Sequence, residues 1–186
     1  LGWRKEHPTM KTPDTANKAL EINKIVNGGY GLAHLDSGQA VLVRHVLPGE
    51  FVIVTIEEKK KNSLFGRLRQ IVKADPLRRT PPCPYVGSCG GCDLQHAAYP
   101  QQLQIKKEIV TDLLLRSQDR QLRDALPLIA EPLAAPQEFG YRQRIRLQVD
   151  KGIVGFHRFQ SHSLLPIQAC LLAPAILNQA LTALKA

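Results

Sequence analysis

Three cysteines stand within ten residues, Cys83, Cys89 and Cys92, spaced C-x5-C-x2-C, and the one other cysteine of the chain is Cys170. Thiolates are soft ligands, suited to iron–sulfur clusters, zinc or Cu(I). Cys89 and Cys92 flank Gly90-Gly91, and residues without a Cβ let backbone close around a bulky ligand, with positive φ open to them. Pro84 stiffens the entry to the loop. Two chemistries fit this pattern. An iron–sulfur cluster takes four thiolates, here three close together and Cys170 remote. A zinc ion takes a Cys3His set, here Cys83, Cys89, Cys92 and His96. Four thiols in 186 residues make no disulfide scaffold. The loop is two residues longer than the C-x3-C-x2-C of radical-SAM enzymes.

The elements that must position these thiols fall into two kinds. Residues 1–18 are polar, with Pro8 and Pro13, and are expected to form a mobile tail. From Ala19 to Lys73 the pattern is all-β. Apolar stretches around Leu20–Val26, Gln39–Leu47, Phe51–Ile56 and Leu64–Val72 are separated by the turn clusters Asn27-Gly28-Gly29, Asp36-Ser37-Gly38 and Pro48-Gly49. Five short strands at this spacing predict a small OB-like barrel over residues 19–75. Asp75 to Pro82 reads as a linker.

After the thiol loop, Pro100 opens a helix whose apolar stripe is Leu103, Val110 and Leu114, widened by Ile105, Ile109 and Leu113. Tyr141 to Val149 alternates strictly, which predicts a strand with Arg142, Arg144 and Arg146 on one face. Ile153–Phe159 returns as its hairpin partner, an apolar segment runs from Leu164 to Cys170, and Pro174 opens a last short helix. Residues 76–186 are thus expected to form one α+β unit.

The chain carries +9 at neutral pH, with 14 basic against 8 acidic side chains before Cys83 and 11 against 8 from Cys83 on. Such a balance points to a polyanion such as nucleic acid. Candidate contacts are Lys59, Lys60 and Lys61 at a hairpin tip, Arg67 and Arg69 on one strand face, and the row Arg142, Arg144 and Arg146, which can hold phosphates bidentately. Aromatic residues are 5% of the chain, too few for many stacked bases. No apolar run reaches membrane-spanning length, so no membrane partner is expected.

Several motifs in order carry a resemblance. Asn27-Gly28-Gly29-Tyr30-Gly31-Leu32-Ala33 and Leu47-Pro48-Gly49-Glu50 resemble a TRAM domain. Arg78-Arg79-Thr80-Pro81-Pro82-Cys83-Pro84-Tyr85 follows, then Gly87-Ser88-Cys89-Gly90-Gly91-Cys92-Asp93-Leu94-Gln95-His96. Phe139-Gly140-Tyr141-Arg142-Gln143-Arg144-Ile145-Arg146-Leu147, Gly155-Phe156-His157-Arg158 and Pro166-Ile167-Gln168-Ala169-Cys170-Leu171-Leu172 complete the series. This order resembles the bacterial RNA uracil-5 methyltransferases, in particular their 23S rRNA branch.

The resemblance implies that Cys83, Cys89, Cys92 and Cys170 hold one [4Fe-4S] cluster, with His96 a structural neighbour, and that the barrel and the α+β unit grip 23S ribosomal RNA. It implies a cytoplasmic, monomeric enzyme. In the family a flipped uridine is attacked at C6 by a cysteine thiolate, methylated at C5 from S-adenosylmethionine, and deprotonated at C5. The family places that nucleophile and the S-adenosylmethionine pocket in a C-terminal Rossmann-like domain. This sequence shows no Gly-rich nucleoside turn and no fifth cysteine. The expectation is an RNA-binding, cluster-carrying portion that does not methylate alone. The alternative is a stand-alone RNA-binding module with a structural metal site and no catalysis.

Overall fold

The computed structural model describes residues 17–60 and 62–185. Six strands form the first sheet: β1 (Asn17–Glu21), β2 (Lys24–Val26), β3 (Tyr30–His34), β4 (Ala40–Arg44), β5 (Phe51–Lys60) and β6 (Ser63–Lys73). Their order is β1-β5-β6-β4-β3-β2, antiparallel throughout except for the parallel β4–β6 contact. β1 and β2 are one strand bent in the middle. At the bend Ile22 donates to Glu50 O at 2.9 Å on one side, and Asn23 donates to Leu32 O at 2.8 Å on the other. The bend therefore closes the sheet into a barrel; the expected first strand is counted here in two pieces, and β3 is a strand that none of the expected stretches located. Residues 1–16 lie outside the described residues, as does Lys61. The expected tail runs two residues too far: Asn17 and Lys18 pair with Thr55 and Val54 of β5.

The alternating strand pattern fills the barrel. Ile22, Ala33, Val41, Val43, Val46, Val52 and Val54 are fully buried there, with Leu20, Ile56 and Leu64 nearly so. β-branched residues dominate, as a pleated, two-sided surface favours. Gly31 sits where backbone and core meet: a Cβ there would lie 2.3 Å from Val46 Cγ2.

Helix α1 (Tyr99–Leu115) starts with proline in its first turn. It docks on the barrel mouth through Ile105, which packs with Ile25, Leu47 and Ala97, and through the Lys24–Asp112 ion pair at 2.5 Å. The buried side is Gln102, Ile105 and partly Ile109. The predicted stripe is therefore rotated, since Val110 and Leu113 are exposed. A short helix α2 (Arg120–Asp124), capped by the Asp119 side chain, and a 3-10 turn Leu126–Leu128 follow.

The second sheet is small: β7 (Gln148–Asp150), β8 (Ile153–His157) and β9 (Leu164–Pro166), in that order and antiparallel. Helix α3 (Ala175–Ala183) packs Leu181 against it, with Val154, Leu165 and Ile167. The predicted strand Tyr141–Val149 is strand only from Gln148. Beyond β8 the chain alternates its donors: Arg158 N–H goes to Ser163 O at 3.0 Å, and Phe159 N–H goes to Ser88 O at 3.0 Å on the opposite edge. The thiol loop thus occupies the edge that Arg144 and Ile145 would have needed in the β7–β8 register, and residues 142–147 run irregularly. Among the described residues no helix is long and apolar enough to cross a membrane.

Candidate functional site

The linker between barrel and thiol loop is pinned first. Arg78 reaches back to the barrel, Nε to Glu50 Oε1 at 2.5 Å and Nη2 to Glu50 Oε2 at 2.7 Å, and Nη2 also donates to His45 O at 2.8 Å. Glu50 is wholly buried. Burial pushes its carboxyl upward, but Arg78 and the N–H groups of Leu47 and Asp75 outweigh that and hold it below its ordinary value. Arg79 forks onto Glu138, which also accepts from Gln102 Nε2 at 3.1 Å. These two pairs set where the loop leaves the barrel.

The loop itself is a run of tight turns. Val86 N–H goes to Cys83 O at 3.3 Å, and Ser88 and Cys89 both donate to Tyr85 O. Its left-handed residue is Gly87, at φ 89°. Gly90 and Gly91 keep ordinary φ, so the expected positive-φ role of the Gly-Gly pair is corrected. Gly29 of the barrel turn, at φ 75°, comes so close that a Cβ would lie 2.5 Å from Asp93 Cβ. Arg44 of β4 binds Asp93 at 2.6 Å and lies over the Phe159 ring, 3.4 Å from its centroid.

The late cysteine is brought to the loop by two contacts that sequence reasoning missed. Tyr85 Oη accepts from Gln168 N–H at 2.7 Å. Asn178 of α3 takes Cys170 N–H on Oδ1 at 2.8 Å and returns Nδ2 to Cys170 O at 3.1 Å. Cys83, Cys89, Cys92 and Cys170 are all unpaired, all half-buried, and all line one cavity of about 740 Å³. Burial pushes the Cys89 and Cys92 thiols up, and the neighbouring thiols push them further, Cys170 among them. No His, Cys, Asp or Glu group among the described residues is gathered around a point as a single ion requires. His96 belongs elsewhere: it is buried under the barrel, Nε2 3.1 Å from Val46 O, its ring 5.8 Å from that of His45.

Arg142, Arg144 and Arg146 line the same cavity, joined by Arg158, His157 and His162. Their segment is held by Gly140 and Arg142, which donate to Leu171 O and Leu172 O beside Cys170. The barrel's basic residues are not brought there. Lys59 and Lys60 end β5, where Lys60 pairs with Glu58 and lies over the Phe65 ring. Arg67 pairs with Glu57 at 2.6 Å, and Arg69 donates to Thr55 Oγ1 at 2.8 Å. Of the missed residues, Tyr85 carried a signal, its place inside the thiol motif; Asn178 carried none.

Residues 19–68 match the TRAM domain family. An RNA methyltransferase of Aquifex aeolicus without an assigned substrate is 36% identical over 162 residues, covering 86% of this chain and 36% of that protein. A 23S rRNA (uracil(1939)-C(5))-methyltransferase of Shewanella amazonensis is 34% identical, covering 82% and 34%. The crystal structure of Pyrococcus abyssi tRNA (uracil-54, C5)-methyltransferase with S-adenosyl-L-homocysteine aligns with a TM-score of 0.60 at 28% identity, covering 89% of this chain and 35% of that one. The chain spans about a third of the length of the curated relatives it matches. It carries a TRAM domain and is a relative of RNA methyltransferases.

Proposed function

We propose that this chain is the RNA-binding and [4Fe-4S]-carrying portion of an S-adenosylmethionine-dependent 23S rRNA uracil-5 methyltransferase, working as a cytoplasmic monomer. One observation carries the reading: four thiols from distant segments and three arginines line one cavity. The donor set fits a cluster. It is all sulfur, in free and half-buried thiols that line one cavity. A zinc ion would need tetrahedral closure, and the His96 of the rival Cys3His set is engaged with Val46.

Cys83, Cys89, Cys92 and Cys170 would hold the cluster, which supplies a bond network joining the loop to the turn before α3. Such a closure is worth most when it ties remote segments. The arginines stand beside it to take phosphate oxygens, positioning an RNA strand without reading its sequence. The barrel adds basic side chains along β5 and β6. S-adenosylmethionine would supply the methyl group; its pocket and the uracil nucleophile are assigned to a part of the enzyme outside this sequence. The family resemblance makes that assignment, and the thiols agree with it for the nucleophile: with four on one cluster, none is left to attack a base.

The test is iron and sulfide analysis of the anaerobically isolated chain. The expected result is a brown protein whose iron is lost in Cys170→Ser, while the barrel stays folded. Zinc in place of iron, or full iron in Cys170→Ser, overturns the cluster assignment. Binding to 23S rRNA fragments no tighter than to duplex DNA overturns the substrate assignment.

A further inference from the structure

Gln95 is occupied at one end and idle at the other. The residue is 5% exposed. Its backbone carbonyl accepts from Arg79 Nε at 3.1 Å, which fixes the main chain. Its side-chain Oε1 accepts the Cys83 N–H at 3.2 Å, which fixes the amide plane. The other end of that amide, Nε2, is buried and meets no hydrogen-bond partner among the described residues. A buried N–H left unpaired forfeits its hydration with nothing in return. Gln95 nevertheless lines the cavity that the four thiols line. Of the four thiols, Cys92 is the one that lines both this cavity and the adjoining one together with Gln95.

Resting on the cluster reading above, we propose that Gln95 is a positioning residue that donates an Nε2–H···Sγ hydrogen bond to Cys92 when that sulfur is a metal thiolate, and so sets the reduction potential of the bound group. The physics is direct. A donor on a ligating sulfur withdraws electron density, which favours the more negative, reduced state and raises the potential. A neutral amide does this without adding charge to a cavity that already holds four arginines. The bond also orients the Cys92 side chain, because the same amide is locked at its far end to Cys83.

The experiment uses the anaerobic, iron-loaded chain. Gln95→Met keeps length and removes the donor, and Gln148→Leu alters another cavity-lining amide as a control. The midpoint potential is expected to move negative in Gln95→Met and to stay put in Gln148→Leu, at unchanged iron content. Pulsed EPR of the reduced protein in D2O should show an exchangeable deuteron coupled to the cluster, lost in Gln95→Met alone. In protein labelled with amide-15N glutamine, the unaltered chain should show a coupled nitrogen, a readout that survives if the variant fails to load iron. An unchanged potential and an unchanged deuteron signal in iron-loaded Gln95→Met overturn the role of Gln95 while leaving the cluster intact. Absence of iron from the unaltered chain overturns both.

Discussion

Arg78 grips Glu50 with two hydrogen bonds, at 2.5 and 2.7 Å, and this fork joins the linker to the wholly buried carboxylate at the barrel rim. Removing one partner of a buried pair leaves an uncompensated charge and costs about 3 kcal/mol or more. Arg78→Met should lose about that much at neutral pH. The sign of the pH dependence is also fixed. In the unaltered chain Glu50 titrates below its ordinary 4.5, so its contribution is present above that value and is lost as pH falls through the lower folded one. In Arg78→Met the largest influence, burial, loses its main opponent and the carboxyl moves upward. Acid then neutralises the stranded group. The stability gap between the two proteins should shrink as pH falls towards 4, measured by denaturant unfolding; a gap constant with pH would contradict this account.

His45 gives a second pH signature. Burial, then the charges of Arg44 and His96, lower its pKa from 6.5 to about 4. The folded protein keeps it neutral where the unfolded chain takes a proton. Its contribution is therefore complete above 6.5 and is lost as pH falls from 6.5 towards 4. His45→Asn removes the titration and suits the backbone, since φ is 61° there and asparagine tolerates the left-handed region. The variant should lose less stability than the unaltered chain between pH 7 and pH 5, read from unfolding midpoints.

The barrel was legible because its strands alternate and its turns carry glycine. The spacing put Cys170 forward as a fourth ligand and favoured a cluster without excluding the His96 alternative; the family resemblance then chose between them. What could not be read were pairings between side chains whose neighbours depend on the completed fold. Asn178 holds Cys170 only because α3 folds back over β9. The alternation of residues 141–149 promised a strand, but burial alternates only over Arg144–Leu147, where Ile145 and Leu147 are half-buried and Arg144 and Arg146 exposed; Tyr141, Gln143 and Val149 are exposed as well. The missing ladder has a tertiary cause: Ser88 of the thiol loop takes the Phe159 N–H on that edge. The α1 stripe was misplaced for a similar reason. Gln102 outranks Leu103 in burial because Glu138 and the Ala97 carbonyl wait for its amide.

The arginine row should be visible in salt dependence. Arg142, Arg144 and Arg146 are exposed and line the thiol cavity. Each single-strand phosphate contact adds about 0.7 to the slope of log affinity against log salt. Replacing all three with glutamine should weaken binding of single-stranded 23S rRNA fragments and flatten the slope by about 2. Glutamine keeps the length of the stem, so the fold should hold. An unaltered slope would make the row a solvated surface, and the phosphate assignment would pass to the barrel.

Gly29 and Asp93 provide the last prediction, because their contact is where barrel and thiol loop touch most closely. Two separate penalties await a side chain at Gly29. Its φ of 75° is left-handed, which costs an alanine about 1 kcal/mol. A Cβ would also lie 2.5 Å from Asp93 Cβ, far inside van der Waals contact, and Asp93 cannot retreat without releasing Arg44 at 2.6 Å. Gly29→Ala should therefore cost about 2 kcal/mol or more. Asp93→Gly removes the opposing Cβ at the expense of the Arg44 ion pair. In that background Gly29→Ala should cost only the backbone strain, about 1 kcal/mol, so the two changes should be less than additive. Strict additivity would mean that the loop does not rest on the barrel turn, and that Arg78 alone sets where the thiols stand.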